Sequence, residues 1–156
     1  MTTPDLLDPN RFRLLATFVA GRSVDVAQAP AGEPAYTDGQ VIFVSAGRPV
    51  PEQRREVLIQ SALLGAGSLD QQLVRALRAR PSVARRYLAL EGHRVLAELA
   101  RQLPLASTIR PDGEPSTATA GESLERAKGR ANVADPPAWF GVIKPSRLLT
   151  TSPAVG

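Results

Sequence analysis

The chain has 156 residues, the length of one ordinary domain, and it is 43% hydrophobic but only 4% aromatic, so its core must be mainly aliphatic. It carries 19 Lys and Arg residues against 15 Asp and Glu, a net charge of +4, and 17 of the 19 bases are arginine. A sequence without cysteine excludes disulfides and thiolate metal sites, and a single histidine, His93, argues against a catalytic zinc centre or a Ser-His-Asp triad. We therefore expect no catalytic chemistry and no cofactor.

The first apolar run, residues 14–20, covers about one third of the roughly 18 apolar residues that a membrane-spanning helix requires. Two arginines precede this run, as in a signal peptide, but the acidic residues Asp5 and Asp8 come first, which is poor signal-peptide chemistry. We expect a cytoplasmic protein without a membrane span.

The N-terminal part of the chain begins with a helix and a small sheet. Asp8 and Pro9 are typical of a helix start and predict a helix that runs to about residue 20 and ends at Gly21. One packing face is predicted for this helix, with the residues Phe12, Leu14, Leu15, Phe18 and Val19. Residues 23–27 and 36–44, the latter with a turn at Asp38-Gly39, predict two or three short strands.

Three further helices are predicted over residues 52–64, 69–78 and 82–103, the second of them capped by Ser68. The order of elements is α-β-β-α-α-α, which indicates an α+β fold that is mostly helical, with about four helices and a small two- to three-stranded sheet. The large aliphatic residues of the last three helices are expected to meet in one core, namely Leu63, Leu73, Leu77, Leu88, Val95 and Leu99.

The composition changes near residue 104. Residues 1–103 contain the periodic apolar segments, whereas residues 104–156 are rich in Pro, Gly, Ser and Thr and have few large apolar side chains. This predicts a helical α+β domain over 1–103 and a flexible, disordered linker or tail over 104–156. Within the tail, Trp139 and Phe140 are typical either of a docking segment or of an anchor on the chain's own core.

Glu91 lies at the margin of the apolar stripe of the predicted last helix. A surface ladder of alternating charges explains it, because Glu91, Arg94, Glu98 and Arg101 follow at spacings of three and four residues. A functional role for Glu91 is the alternative. Arginines concentrate in the same region, and the basic patch comprises Arg75, Arg78, Arg85, Arg86 and Arg94. A solvated surface explains this patch, and a contact with nucleic acid or an acidic partner is the alternative.

The stretch from Ala35 to Leu103 resembles the N-terminal region of nitric oxide reductase activation proteins. The similarity rests on Tyr-Thr-Asp-Gly at 36–39, the following Val-Ile-Phe-Val, the helix end Ala-Leu-Leu-Gly-Ala-Gly-Ser-Leu at 62–69, and Tyr-Leu-Ala-Leu-Glu-Gly-His-Arg at 87–94. Those proteins are longer and end in a von Willebrand factor A domain. In many of them the N-terminal region looks like a zinc-metallopeptidase, with a His-Glu-x-x-His-type helix and a later acidic residue.

The resemblance assigns the metal positions of that helix to Gln60, Ser61 and Leu64, and the acidic position to Glu91. Only Glu91 keeps a residue type that binds zinc, so the resemblance implies a degenerate zincin-like fold without metal. The Asp-x-Ser-x-Ser motif of an A domain does not occur in this sequence. A truncated product or a fragment of a longer chain is therefore expected.

The resemblance implies a non-catalytic interaction or adaptor domain of a metalloenzyme-activation system. Its partner would be a MoxR-type AAA+ ATPase or the target metalloenzyme. The alternative is a small basic nucleic-acid-binding protein that uses the arginine-rich helices. An active metallopeptidase is the third hypothesis, and the missing metal ligands argue most strongly against it.

Overall fold

The computed structural model describes residues 9–149, with the exception of Arg110, Asp112 and Ala131. Among these residues it contains six α-helices and one three-stranded sheet, an α+β fold as predicted. The elements in chain order are α1 (Arg13–Ala20), β1 (Asp25–Gln28), β2 (Tyr36–Thr37), β3 (Val41–Val44), α2 (Val50–Gly65), α3 (Gln71–Arg75), α4 (Pro81–Gln102), α5 (Ala120–Lys128) and α6 (Pro145–Leu149).

The first helix ends where the sequence predicts. A 3₁₀ turn, Pro9–Phe12, leads into α1, and Gly21 closes the helix in the left-handed conformation with φ +74°. The N–H of Gly21 donates to the carbonyl of Thr17, so the backbone leaves the helix in a defined direction. The predicted cap, Asp8, lies outside the described residues.

The sheet has the strand order β1-β3-β2. Strand β1 runs parallel to β3, and β2 runs antiparallel to β3. The predicted turn between β2 and β3 is confirmed: Asp38 Oδ1 accepts hydrogen bonds from the N–H groups of Gln40 and Val41, both at 2.9 Å. The turn fixes the register in which Tyr36 faces Phe43, and their rings stack with centroids 4.7 Å apart.

Helix α3 is shorter than the predicted helix 69–78. Only Gln71–Arg75 is α-helical, and turns follow up to Ala79, which has a positive φ of 58°. Pro81 starts α4 directly afterwards, and the residue before a proline is pushed away from helical geometry. The leucine spacing therefore predicts the buried face correctly in part but overestimates the length of the helix.

Helix α2 is the centre of the fold and separates two apolar clusters. On one side it packs against α1 and the sheet, where Val26, Ile42 and Val44 are buried. On the other side it packs against α4. The prediction of one core is correct for Leu63, Leu88, Val95 and Leu99, which share this second cluster. It is wrong for Leu73 and Leu77, which belong to a third cluster between α3, α4 and α5.

The region after residue 103 differs from the predicted flexible tail. Its described residues include a 3₁₀ turn, Pro104–Thr108, and the helices α5 and α6. Leu124 and Ala127 of α5 are buried against α4, and Phe140 is buried in the cluster between α2 and α4. A few small and apolar residues at helical spacing are sufficient to pack α5 against α4, because α4 already has a long apolar face. No helix in the described part of the chain has the length and apolar character needed to span a membrane.

Candidate functional site

The three positions that the resemblance assigns to metal ligands lie on α2, and all three are buried. Gln60 Nε2 donates to the main-chain carbonyl of Phe140 at 2.8 Å, and Ser61 Oγ donates to the carbonyl of Val57 at 2.6 Å. Leu64 packs in the cluster formed with α1 and the sheet. Each side chain thus has a structural role, and this set does not fit a zinc ion, which needs imidazole, thiolate or carboxylate ligands.

The surroundings of α2 lead to the same conclusion. All residues from 56 to 64 are buried, so the helix is covered on every side. A helix buried in this way is a core element. Among the described residues, no group of three or more His, Asp or Glu side chains is placed to hold a metal ion.

Glu91, the acidic position of the resemblance, lies on α4 in a buried polar cluster and is 0% exposed. Its Oε1 atom accepts hydrogen bonds from Ser68 Oγ at 2.6 Å and from Arg94 Nη2 at 2.7 Å. Its Oε2 atom accepts from Arg94 Nε at 2.8 Å and from Ser123 Oγ at 2.6 Å. The carboxylate is therefore held by one bidentate guanidinium and two hydroxyl groups, a strong charge-assisted arrangement.

Two further residues complete this Glu91 cluster. Thr117 Oγ1 lies 2.7 Å from Ser123 Oγ, and because Ser123 gives its single proton to Glu91, Thr117 is the donor of this bond. Tyr87 Oη donates to the main-chain carbonyl of Ser68 at 2.6 Å. The cluster joins α4 to the loop after α2 and to the start of α5.

The charges of the cluster are mutually stabilised. Burial alone raises the pKa of Glu91, but the hydrogen bonds from Arg94, Ser123 and Ser68 outweigh it and leave this pKa below its ordinary value. The hydrogen bond to Glu91 raises the pKa of Arg94 in turn. Burial, and after it the negative charge of Glu91, raise the pKa of Tyr87 above its ordinary value. Glu91 is thus ionised and Tyr87 neutral at pH 7, and both oxygens of the Glu91 carboxylate accept hydrogen bonds within the cluster.

The prediction of a surface charge ladder is wrong at Glu91. The pair with Arg94 exists at the predicted spacing, but it faces inwards, because α5 covers this side of α4. The pair of Glu98 with Arg101, at 3.4 Å, is exposed as predicted. The ladder interpretation therefore holds only for the last turns of α4.

The sequence patterns do not predict the other members of the Glu91 cluster. Ser68 was predicted to cap the following helix, but its hydroxyl donates to Glu91, and Asp70 occupies the cap position of α3. Ser123 lies 32 residues from Glu91, in the predicted tail. No local pattern relates residues at such separations, and only the packing of α5 on α4 brings them together.

The basic patch does not form one free cationic surface. Arg75, Arg78 and Arg85 are exposed, whereas Arg86 and Arg94 are half-buried. Arg86 donates through Nε and Nη2 to the carbonyl of Ala127 at the end of α5, at 2.9 and 2.6 Å, and Arg94 holds Glu91. Arg85 pairs with Asp135 at 3.1 Å. Two of the five arginines therefore fix the fold, and this weakens the nucleic-acid alternative.

Phe140 is an anchor on the chain's own core, which was one of the two interpretations of the Trp139-Phe140 pair. It is 1% exposed and packs between α2 and α4. Trp139 is half-buried, meets Phe140 edge-on at 4.8 Å between ring centroids, and lies under the guanidinium of Arg55 at 5.0 Å. Phe140 is therefore unavailable for docking to a partner while this packing lasts.

The outer face of α1 exposes two large hydrophobic residues that the sequence pattern places on the packing face. Leu14 is 84% and Phe18 is 69% exposed, and they are the large hydrophobic side chains that stand open among the described residues. Their assignment to the packing face is wrong, because Ala16 and Ala20 face the core instead. The small size of these alanines lets α1 lie close to α2, as the backbone of Ala20 against Gly65 shows.

No family model, no curated protein and no solved structure matches this chain. The similarity to nitric oxide reductase activation proteins stays a prediction, and the functional argument rests on the geometry of the described residues.

Proposed function

We propose that this chain is a non-catalytic protein-interaction domain whose partner binds the outer face of α1. The observation that carries the proposal is the exposure of Leu14 and Phe18, one helical turn apart on the same face. Burying such a side chain contributes about 1.5–3 kcal/mol, so a partner that covers both gains considerable binding energy. Single exposed hydrophobic residues are common, but an adjoining pair forms a patch.

On one side of α1, the exposed apolar patch of Leu14 and Phe18 borders on half-buried apolar residues. Leu15 and Val19, the next pair of residues around α1, are half-buried against the cluster between α2 and α4. Val19 also lines a shallow groove together with Ala66 and Leu99. An apolar stripe on a partner helix can therefore lie across α1 and reach this groove, as in helix-in-groove recognition.

The charges around the patch define the partner further. Arg11, Arg13 and Arg22 lie at the two ends of α1, and Glu98 lines the adjoining groove. Among the described residues, Asp25 pairs with Arg13 at 3.1 Å. This pair is exposed on both sides and contributes little to stability. An amphipathic helix with an apolar stripe and acidic flanking residues is the partner that these charges favour.

The non-catalytic part of the proposal is supported by the roles of the site residues. Gln60, Ser61 and Leu64 have structural roles inside the protein, and Glu91 already accepts four hydrogen bonds. In the proposed relationship to the degenerate zincin-like family, α2 keeps the packing role of a metallopeptidase helix. A MoxR-type AAA+ ATPase or its target metalloenzyme is then the partner class to test first.

Binding of a designed peptide pair tests the proposal. One helical peptide carries leucines at i and i+4 with flanking glutamates, and the other has the same stripe with flanking lysines. We expect the acidic peptide to bind more tightly in calorimetry, and the double variant Leu14→Ser/Phe18→Ser to lose at least tenfold in affinity. A purified MoxR-type ATPase is then titrated in the same way.

The matched control is Arg75→Gln/Arg78→Gln, which alters the basic patch and leaves α1 intact. It should bind both peptides as the unmodified chain does. Equal affinity of the Leu14→Ser/Phe18→Ser variant would contradict the proposal. If instead the chain binds duplex DNA, with an affinity that falls steeply with salt and that the Arg75→Gln/Arg78→Gln variant loses, the nucleic-acid function replaces it.

A further inference from the structure

The segment of residues 139–143, the anchor segment, enters a slot made by residues far away in the sequence. The ring of Phe140 lies directly on Gly92 of α4, and a Cβ atom at Gly92 would overlap ring atoms Cδ2 and Cε2. Glycine inside a helix costs stability relative to alanine. Its presence at position 92 makes room for the aromatic ring.

The slot contacts the backbone of the anchor segment as well as the ring of Phe140. Gln60 Nε2 donates to the carbonyl of Phe140 at 2.8 Å, and the N–H of Val142 donates to the carbonyl of Ala35 at 2.9 Å. Gly141 between them has a φ of +82°, and a Cβ atom there would overlap the carbonyl oxygen of Ala35. The slot, formed by Ala35, Gln60 and Gly92, thus selects an aromatic residue followed by glycine.

These contacts are of the kind that domains use to bind extended peptides. Main-chain hydrogen bonds hold the segment, and a pocket for one side chain gives specificity. The slot is built from residues 35–92, whereas the segment comes from residues 139–143. The segment and the slot are thus separated by more than 40 residues in the sequence, and their contacts involve only these two parts of the chain.

In the connection between α5 and the anchor segment, Val133 packs against the cluster between α3, α4 and α5, whereas residues 134, 135, 137 and 138 are exposed. Asp135, Pro136 and Pro137 line two surface cavities of 390 and 370 Å³, so they do not fill the space against α4. The exposed pair of Arg85 with Asp135 is a weak tie. Residues 129–138 span at most about 35 Å when extended, which is enough to reach a neighbouring molecule.

We propose that the slot of Ala35, Gln60 and Gly92 is a peptide-binding site that accepts the anchor segment of a second copy of this chain, giving a dimer by exchange of C-terminal segments. The contacts that close the monomer are then repeated between the two copies, as in domain swapping. In the monomer the chain's own segment occupies the site at high effective concentration, so exchange needs high protein concentration or release of the segment. The inference does not depend on the proposed role of α1.

Mixing two variants tests the exchange. Phe140→Ala has an open slot and no aromatic anchor, and Gly92→Ala has an anchor and a blocked slot. We expect neither to dimerise strongly alone and a 1:1 mixture to form a heterodimer, detected by native mass spectrometry, in which the Phe140 anchor of one copy fills the slot of the other. The melting transition of Phe140→Ala should move back toward that of the unmodified chain in the mixture.

The matched control is a mixture of Phe140→Ala with Gly92→Ala/Phe140→Ala, in which no aromatic anchor is present. It should stay monomeric. If Phe140→Ala does not fold alone, gain of helical circular dichroism on mixing with Gly92→Ala replaces the melting readout. A mixture of the single variants that remains monomeric, or unfolded, overturns the proposal. So does a heterodimer that forms equally in the control, because it would use another face.

Discussion

Among the described residues two carboxylates are buried, those of Glu56 and Glu91, and their surroundings stabilise them differently. Glu91 is held by the guanidinium of Arg94 and by the hydroxyl groups of Ser68 and Ser123. Glu56, which is 4% exposed, accepts one hydrogen bond from the N–H and one from the Oγ of Ser45, both at 2.8 Å. Within the described residues, no Arg or Lys forms an ion pair with Glu56.

The two carboxylates also connect different parts of the fold. Glu91 joins residues that are 23 and 32 positions away, so it links α4 to the loop after α2 and to α5. Glu56 joins α2 to a residue 11 positions earlier, just after β3. In this fold, the carboxylate that joins the more distant segments is the one paired with an arginine. Breaking a buried ion pair leaves an uncompensated charge, whereas weakening a hydrogen-bonded carboxylate costs less.

The largest predicted effect is that of Glu91→Gln. The substitution keeps the shape of the side chain but leaves the charge of Arg94, which is 19% exposed, without its partner. We expect the free energy of unfolding to fall by about 3–5 kcal/mol. A denaturant titration measures it. Glu98→Gln on the same helix is the control and should cost about 0–0.5 kcal/mol, because its pair with Arg101 is exposed. Equal effects of the two substitutions would contradict a junction at Glu91.

Leu88→Ala measures how much apolar packing alone contributes to the free energy of unfolding. Leu88 is 2% exposed in the cluster between α2 and α4 and makes no polar contact that could confuse the result. We expect a loss of about 2–5 kcal/mol from the removed apolar contacts and the cavity. Leu103→Ala, at the half-buried edge of the same cluster, is a control that should lose less than half as much. An unchanged free energy of unfolding in Leu88→Ala would mean that polar contacts, rather than apolar packing, keep α4 in place.

Local signals explain what the sequence predicts well. Helix α4 is predicted over 82–103 and spans Pro81–Gln102, because apolar periodicity is a property of neighbouring residues. The sheet was predicted for the same reason, through the turn at Asp38-Gly39. Such signals act over a few residues and need no knowledge of the rest of the fold.

The errors have two different causes. One is a local signal that was present and missed: Thr119 Oγ1 accepts from the N–H of Glu122 at 3.0 Å, and this Thr-x-x-Glu spacing is typical of a helix start, here that of α5. The other is packing between distant elements. The inward direction of Glu91 and the outward direction of Leu14 depend on which helix covers which face, and periodicity alone does not determine that.

The pH dependence of the unfolding free energy tests whether Glu91 stabilises the protein in its ionised form. The pKa of Glu91 is lower in the folded protein than its ordinary value of about 4.3. Its stabilisation is therefore fully present above about pH 5 and is lost as the pH falls through the folded pKa. We expect the difference in unfolding free energy between the unmodified chain and Glu91→Gln to be smaller at pH 3 than at pH 7. Urea titrations at both pH values measure it, and a constant difference would contradict an ionised Glu91.

The smallest predicted effect is that of Glu56→Gln. The amide oxygen of glutamine can still accept from the N–H of Ser45, and its amide nitrogen can donate to Ser45 Oγ, so both contacts survive in neutral form. Hydrogen bonds to charged groups contribute about 1.5–3 kcal/mol and neutral ones about 0.5–1.5 kcal/mol, so we expect a loss of about 1 kcal/mol. Glu52→Gln, whose pair with Arg48 is exposed on the same helix, is the control and should cost about 0–0.5 kcal/mol. A loss at Glu56 as large as that at Glu91 would show that a buried carboxylate needs no cation to be a major junction, and the contrast between the two sites would then rest on connectivity alone.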